Sequence, residues 1–174
     1  MTKILKTNTM GQQLDKLDEK ILQLISNNAR IPFLEVAREC NVSGAAIHQR
    51  IQKLMNTGVI KGSEFVIDAG KIGYQTCAFI GIFLKNADEY QNVVNALSNI
   101  PEVAECHYTT GKYAMFIKVY AKNNLHLLSI IHQKFQKITG IASTETLISF
   151  DEAFKRQPPL TDLDVETPKS PEGD

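Results

Sequence analysis

The side chains best placed to do chemistry in this sequence lie in one stretch, Ser43-Gly-Ala-Ala-Ile-His-Gln-Arg-Ile-Gln-Lys-Leu-Met-Asn56. At 3.6 residues per turn, Ile47, Ile51, Leu54 and Met55 form an apolar stripe. Ala45, Ala46, Gln49, Gln52, Lys53 and Asn56 lie opposite, with His48 and Arg50 at the flanks. This polar face has amides, cations, small residues at its N-terminal end and no acid. Such a face fits a DNA major groove. Gln and Asn read adenine, Arg and Lys read guanine or hold phosphate, and alanine methyls meet thymine. A helix face that is merely solvated usually mixes both charge signs. The candidate DNA-contacting residues are Ser43, Ala45, Ala46, His48, Gln49, Arg50, Gln52 and Lys53.

Other reactive side chains do not converge. Thr110-Gly111-Lys112 has the end of a phosphate-binding loop, but the upstream glycine is absent and a strand follows instead of a helix. Cys106 and His107 are neighbours on a predicted strand and point to opposite faces. His126 and His132 are six residues apart on a predicted helix and diverge. Cys40, Cys77 and Cys106 are an odd set without Cys-x-x-Cys spacing, which fits packed thiols in a reducing cytoplasm. No catalytic residue, metal site or cofactor is expected.

The charge distribution agrees with one polyanion-binding region. The 174 residues carry 19 Lys+Arg and 19 Asp+Glu, a net charge of zero. Residues 1–62 nevertheless hold nine basic and five acidic residues, 63–158 nine of each, and 159–174 one basic and five acidic. A basic first third on a neutral chain predicts that this part meets the polyanion. No apolar run approaches the roughly 20 residues of a membrane span, and no signal peptide is read at the start.

The elements that must position these residues follow from hydrophobic period. Leu17, Ile21, Leu24 and Ile25 predict a first helix capped by Asp15. A short second helix follows Pro32, and a third runs from the Ser43 cap to about Asn56, stopped by Thr57-Gly58. The tight connection Asn41-Val42-Ser43 makes a helix-turn-helix of residues 14–60. Residues 61–74 read as a wing turn and linker with a connecting strand over 64–68. From 75 to 155 the order is strand, helix, strand, hairpin turn at Thr110-Gly111-Lys112, strand, helix, strand. The fold class is α+β: a winged helix-turn-helix followed by a ferredoxin-like βαββαβ domain. Two helices cover one face of a four-stranded sheet. The other face, expected to carry Phe79, Phe83 and Met115, predicts an interface with a second copy. Residues 156–174, Pro-rich and acidic, read as a disordered tail.

The order and spacing of several short motifs resemble the Lrp/AsnC family of feast/famine transcriptional regulators. They are Leu17-Asp-Glu-Lys-Ile-Leu22, Asn28-Ala-Arg30, Leu34-Glu-Val-Ala37, Val42-Ser43, Arg50-Ile-Gln-Lys-Leu54 and Gly58-Val-Ile60 in the first half. In the second half they are Val103-Ala-Glu-Cys-His107, Thr110-Gly-Lys-Tyr113 and Thr144-Glu-Thr146. The resemblance spans residues 14–155. It implies sequence-specific binding of double-stranded DNA, homodimers built through the sheets, assembly into octamers, and a small amino-acid effector bound between dimers. It places the effector around Tyr108, Gly111, Lys112, Tyr113, Ala114 and Asn124.

One departure bears on that effector. The family's loop commonly reads Gly-Asp-Tyr-Asp, whereas this chain has Gly111-Lys-Tyr-Ala114. A carboxylate suits an ammonium group through a charge-assisted hydrogen bond, and Ala114 offers none. Weak or absent response to ordinary amino acids is therefore expected, with a 2-oxo acid held by Lys112 as the alternative. A DNA-binding protein without an effector is a second reading. A third, from a different class, is an enzyme resembling sirohaem decarboxylases. Those enzymes carry an Asn-Leu-Trp-Phe-like stretch where this chain has Ala114-Met-Phe-Ile117, and this chain has no Trp.

Overall fold

In the computed structural model, which describes residues 14–161, two aspartates start the first helix. Asp15 caps α1 (Lys16–Asn27) by accepting from the Asp18 N–H at 2.8 Å, and the Asp18 carboxylate accepts from the Asp15 N–H at 3.2 Å. This reciprocal pair satisfies two orphan donors. α2 (Phe33–Cys40) begins after Pro32, whose fixed φ of −63° suits a helix entry. It ends at Asn41, which takes the left-handed conformation (φ 54°) that Asn tolerates better than most residues. Ser43 then caps α3 (Gly44–Asn56), its Oγ accepting from the Ala46 N–H at 3.2 Å. Ile21, Leu22, Val36, Ala37, Ile47, Ile51 and Leu54 close the three helices around one core. Each fully buried Ile or Leu contributes about 1.5–3 kcal/mol.

The strand expected over 64–68 is not formed. No strand pairs with it among the described residues, and an unpaired strand leaves its backbone groups to water. The expected wing likewise has no paired strands. Phe65, 73% exposed, has the Arg30 guanidinium over its ring at 4.6 Å.

The chain divides into two compact units. One comprises residues up to Phe65 together with those from Arg156, and the other is Val66–Lys155. The expected tail thus departs from its prediction at its beginning. Leu160 packs against the core of the three helices, and its carbonyl accepts from Gln23 Nε2 at 2.9 Å. Apolar contact outweighed the Pro-rich composition there. The remainder of that tail, from 162, and the frayed start expected for residues 1–12 lie outside the described residues.

The second unit is a β-α-β-β-α-β sandwich of one sheet and two helices. Its strands are β1 (Thr76–Leu84), β2 (Val103–Tyr108), β3 (Met115–Ala121) and β4 (Ile141–Ser149), in the antiparallel order β2-β3-β1-β4. α4 (Tyr90–Ser98) and α5 (Asn124–Gln133) cover one face. Ala78, Ile80, Ile82, Met115, Ile117 and Val119 point toward them and pack on Val93, Leu97, Leu127, Ile130 and Phe135. Met115 therefore belongs to this core, not to the open face as expected. It pairs with Ile82, and strand alternation puts Phe116 outside instead. The open face carries Phe79, Phe83, Phe116, Lys118 and Tyr120.

Candidate functional site

The exposed side of α3 presents Ala45, His48, Gln49, Gln52, Lys53 and Asn56, while Ile47, Ile51 and Leu54 are buried. Ala46 is half-buried beside the Ser43 cap. The helix bears no acid, so the partial positive charge at its N-terminus adds to Lys53 without opposition from its own side chains. The His48 ring lies edge-on to Phe33, with centroids 6.2 Å apart. Met55 leaves the expected buried stripe. It is 45% exposed, because Ile47, Ile51 and Leu54 already fill the contact with α1 and α2.

Arg50 also departs from its expected place. Its guanidinium donates to Asp15 Oδ2 and, at 2.9 Å, to Asp18 Oδ1. It is thus committed to the cap of α1. Burial opposes ionisation of Asp15, but the Arg50 guanidinium and the Asp18 N–H hold its carboxyl below the usual range. The two carboxylates raise Arg50 in turn. The Asp15 cap was readable from its neighbours, whereas the partner 35 residues away was not.

The second cluster surrounds the β2–β3 hairpin. The turn is closed by the Thr109 N–H to the Ala114 carbonyl at 3.0 Å, and by Thr109 Oγ1 to the Tyr113 carbonyl at 2.5 Å. The Ala114 N–H donates to the Ile82 carbonyl at 3.0 Å and fixes the turn to β1. Lys112 Nζ lies 2.7 and 2.8 Å from the two carboxylate oxygens of Glu145, and the Tyr113 hydroxyl donates to Glu145 at 2.7 Å. These donors lower the Glu145 pKa, and the shared carboxylate raises both Lys112 and Tyr113. The Tyr113 ring lies over Gly81, where any Cβ would clash with it, and stacks on Phe116 at 5.9 Å. Glu145 is the functional candidate that sequence reasoning missed. Its signal is register: β4 pairs with β1 so that Glu145 stands opposite Gly81, directly under the tyrosine.

The remaining predicted residues divide. Gly111 and Ala114 belong to the turn. Tyr108 lies across the sheet from Tyr113, pairing with Met115 on the helix side, and its ring meets Tyr90 at 4.5 Å. Asn124 is not a neighbour of the turn within one chain. Its Oδ1 accepts from Thr76 Oγ1 at 3.1 Å, beyond the other end of the seven-residue strand β3, roughly 20 Å away. On the open face, Lys118 is 7% exposed in its side chain and bonds Glu152 at 2.8 Å, which raises its pKa despite burial. Burial raises the thiol pKa of Cys40, Cys77 and Cys106, against the thiolate a nucleophile needs.

Known proteins share both halves of this arrangement. Residues 14–61 match a winged helix-turn-helix DNA-binding domain, and residues 77–159 match the Lrp/AsnC ligand binding domain. The chain is similar to the regulatory protein AsnC of Haemophilus influenzae, with 43% identity over 82% of this chain and 95% of the relative. It is 38% identical to AsnC of Escherichia coli, over 82% of this chain and 94% of that one. The solved structure of E. coli AsnC superposes with a TM-score of 0.79 at 37% identity, covering 84% of this chain and 99% of that chain. No helix among the described residues is long and apolar enough to cross a membrane.

Proposed function

Because the chain belongs to the Lrp/AsnC family of DNA-binding transcriptional regulators, we propose that α3 is its groove-reading helix, with Ala45, Ala46, Gln49, Gln52 and Lys53 toward the bases and backbone and Ser43 and His48 at the edges. The observation that carries this is the acid-free, amide-rich face exposed along α3, directly opposite a fully packed stripe. The open sheet face, with Phe79 stacked on Phe116 at 5.7 Å, takes a second copy of the chain. Dimers assembled further, to octamers, place the hairpin at their boundaries. The protein acts in the cytoplasm as a regulator and not as an enzyme.

The hairpin senses a small amino acid. Ala114 gives an ammonium group nothing, but Glu145 supplies the carboxylate expected to be missing, and Lys112 faces the opposite charge. A zwitterion inserted between them satisfies both. An oxo acid would bring Lys112 a partner and leave Glu145 with the Tyr113 hydroxyl but no cation, so the pair favours the amino acid. An exposed ion pair is cheap to open, and breaking Lys112 from Glu145 opposes binding little.

One gel-shift titration tests the whole reading. The full chain is titrated against operator DNA selected from random sequence, with and without a panel of amino and oxo acids. Gln49→Ala and Gln52→Ala each weaken binding by about 1–3 kcal/mol at their own base pair, and amino acids alone shift the curves. Unchanged binding by both variants breaks the groove assignment. A response confined to oxo acids breaks the zwitterion assignment.

A further inference from the structure

Arg50 is the strongest charge on α3 that DNA reading leaves unused. Its two partners differ in exposure: the Asp15 side chain is half exposed and Asp18 is buried. Asp18 is 1% exposed, and its oxygens accept from Arg50 and from the Asp15 N–H. Asp15 accepts from Arg50 and from the Asp18 N–H. One guanidinium therefore joins both carboxylates of a reciprocal cap, at the N-terminus of α1 where the helix dipole favours negative charge. Apart from the His48 ring edge-on to Phe33, α3 meets its neighbours mainly through Ile47, Ile51 and Leu54 against aliphatic side chains. Apolar packing is non-directional, so it limits the roll of α3 about its axis only loosely. Arg50 Nη1 bonds both carboxylates, and a planar guanidinium held by two charge-assisted bonds has a directional geometry that apolar packing lacks. At 100° per residue, Gln49 lies about 60° from Gln52 and about 40° from Lys53 around the axis, so a roll of that size exchanges the side chains that face outward.

We propose that Arg50 is a positioning residue for DNA recognition: clamped to Asp15 and Asp18, it sets the roll of α3 that turns Gln49, Gln52 and Lys53 toward the groove, and it does not itself touch DNA. The inference deepens the groove-reading assignment of α3 and rests on it.

Binding of the full chain to selected operator DNA is measured across a salt series for wild type, Arg50→Lys, Arg50→Met and the double variant Arg50→Met/Asp18→Leu. The double variant removes the buried carboxylate with its partner and leaves the Asp15 cap in place. Arg50→Met loses at least tenfold in affinity for every DNA sequence, with an unchanged slope of log affinity against log salt. Arg50→Lys, which keeps the charge and loses the planar guanidinium, recovers only part of the loss. The double variant returns to within about threefold of wild type. A slope shallower by about 0.9, the signature of one lost phosphate contact, overturns the proposal. So do relaxed preference at a single base pair, wild-type affinity for Arg50→Met, and a folded double variant as weak as the single. If Arg50→Met does not fold, the Lys and double variants decide alone by the same criteria. Gln49→Ala and Gln52→Ala are run alongside. Unchanged binding by those two breaks the groove assignment itself, whereas weakened Gln variants beside a failed rescue break only the positioning role.

Discussion

Two three-residue ionic clusters, one in each unit of this molecule, are built to opposite ends. Around the cap of α1, one cation meets two carboxylates, one of them 1% exposed. At the hairpin of the second unit, one cation and one tyrosine hydroxyl meet a single carboxylate, with Lys112 63% and Glu145 46% exposed. Burial makes the difference. A desolvated carboxylate must keep its partners, because water cannot replace them. The hairpin carboxylate can exchange Lys112 for water or for a ligand's ammonium at little cost. The first cluster holds a helix in place, and the second is free to respond.

The largest effect that separates them is on the first unit. Asp18→Leu leaves Arg50 facing one carboxylate in place of two and removes half of the reciprocal cap. Breaking a buried pair costs about 3 kcal/mol, read as a lowered urea midpoint of the helical signal. All five tyrosines lie between residues 74 and 120, in the second unit, so tyrosine fluorescence follows that unit separately and keeps its midpoint. A shift of both signals together breaks the separation.

Gly81→Ala comes next. The added methyl strikes the Tyr113 ring, and such overpacking costs about 1–3 kcal/mol. Here the tyrosine signal moves and the helical one holds. The displaced hydroxyl also leaves Glu145, so amino-acid binding weakens by calorimetry even where the domain stays folded.

Acidification acts on both units. The folded pKa of Asp15 lies below its unfolded value, so its contribution to stability is complete above the unfolded value. That contribution is lost as pH falls through the folded one. Glu102, Glu145 and Glu152 of the sheet unit shift in the same direction. Lowering the pH from 5 to 3 therefore lowers the midpoints of both units. A midpoint of either unit that holds across this range contradicts the expectation. The smallest structural effect belongs to Glu145→Gln, which leaves both midpoints unchanged and abolishes the amino-acid response.

What could be read from the sequence was local. Asp15, Ser43 and Gly58 mark helix ends through neighbours within four residues, and the hairpin at 109–114 announces itself by Thr-Gly-Lys between two apolar runs. The order of the four strands followed from that pattern. Residues whose roles depend on distant partners were misplaced. Arg50 is defined by residues 35 and 32 positions away, and Glu145 by a hairpin 32 to 33 positions away. Within one chain Asn124 lies at the other end of β3 from the turn. Met115 needed the register of β1 against β3, and the expected strand over 64–68 lacked a partner to pair with.

The contact between Gln23 and Leu160 spans 137 residues, and it orders the life of a nascent chain. The three helices leave the ribosome first, yet the side chain that lies against their core is made after every strand of the sheet. At about 5–20 residues per second, the head waits several seconds with that patch of its core uncovered. A chain whose synthesis stops inside β4 has every helix of the head and lacks this cover. Packing of the three-helix core is therefore completed only after the last strand of the sheet has been made.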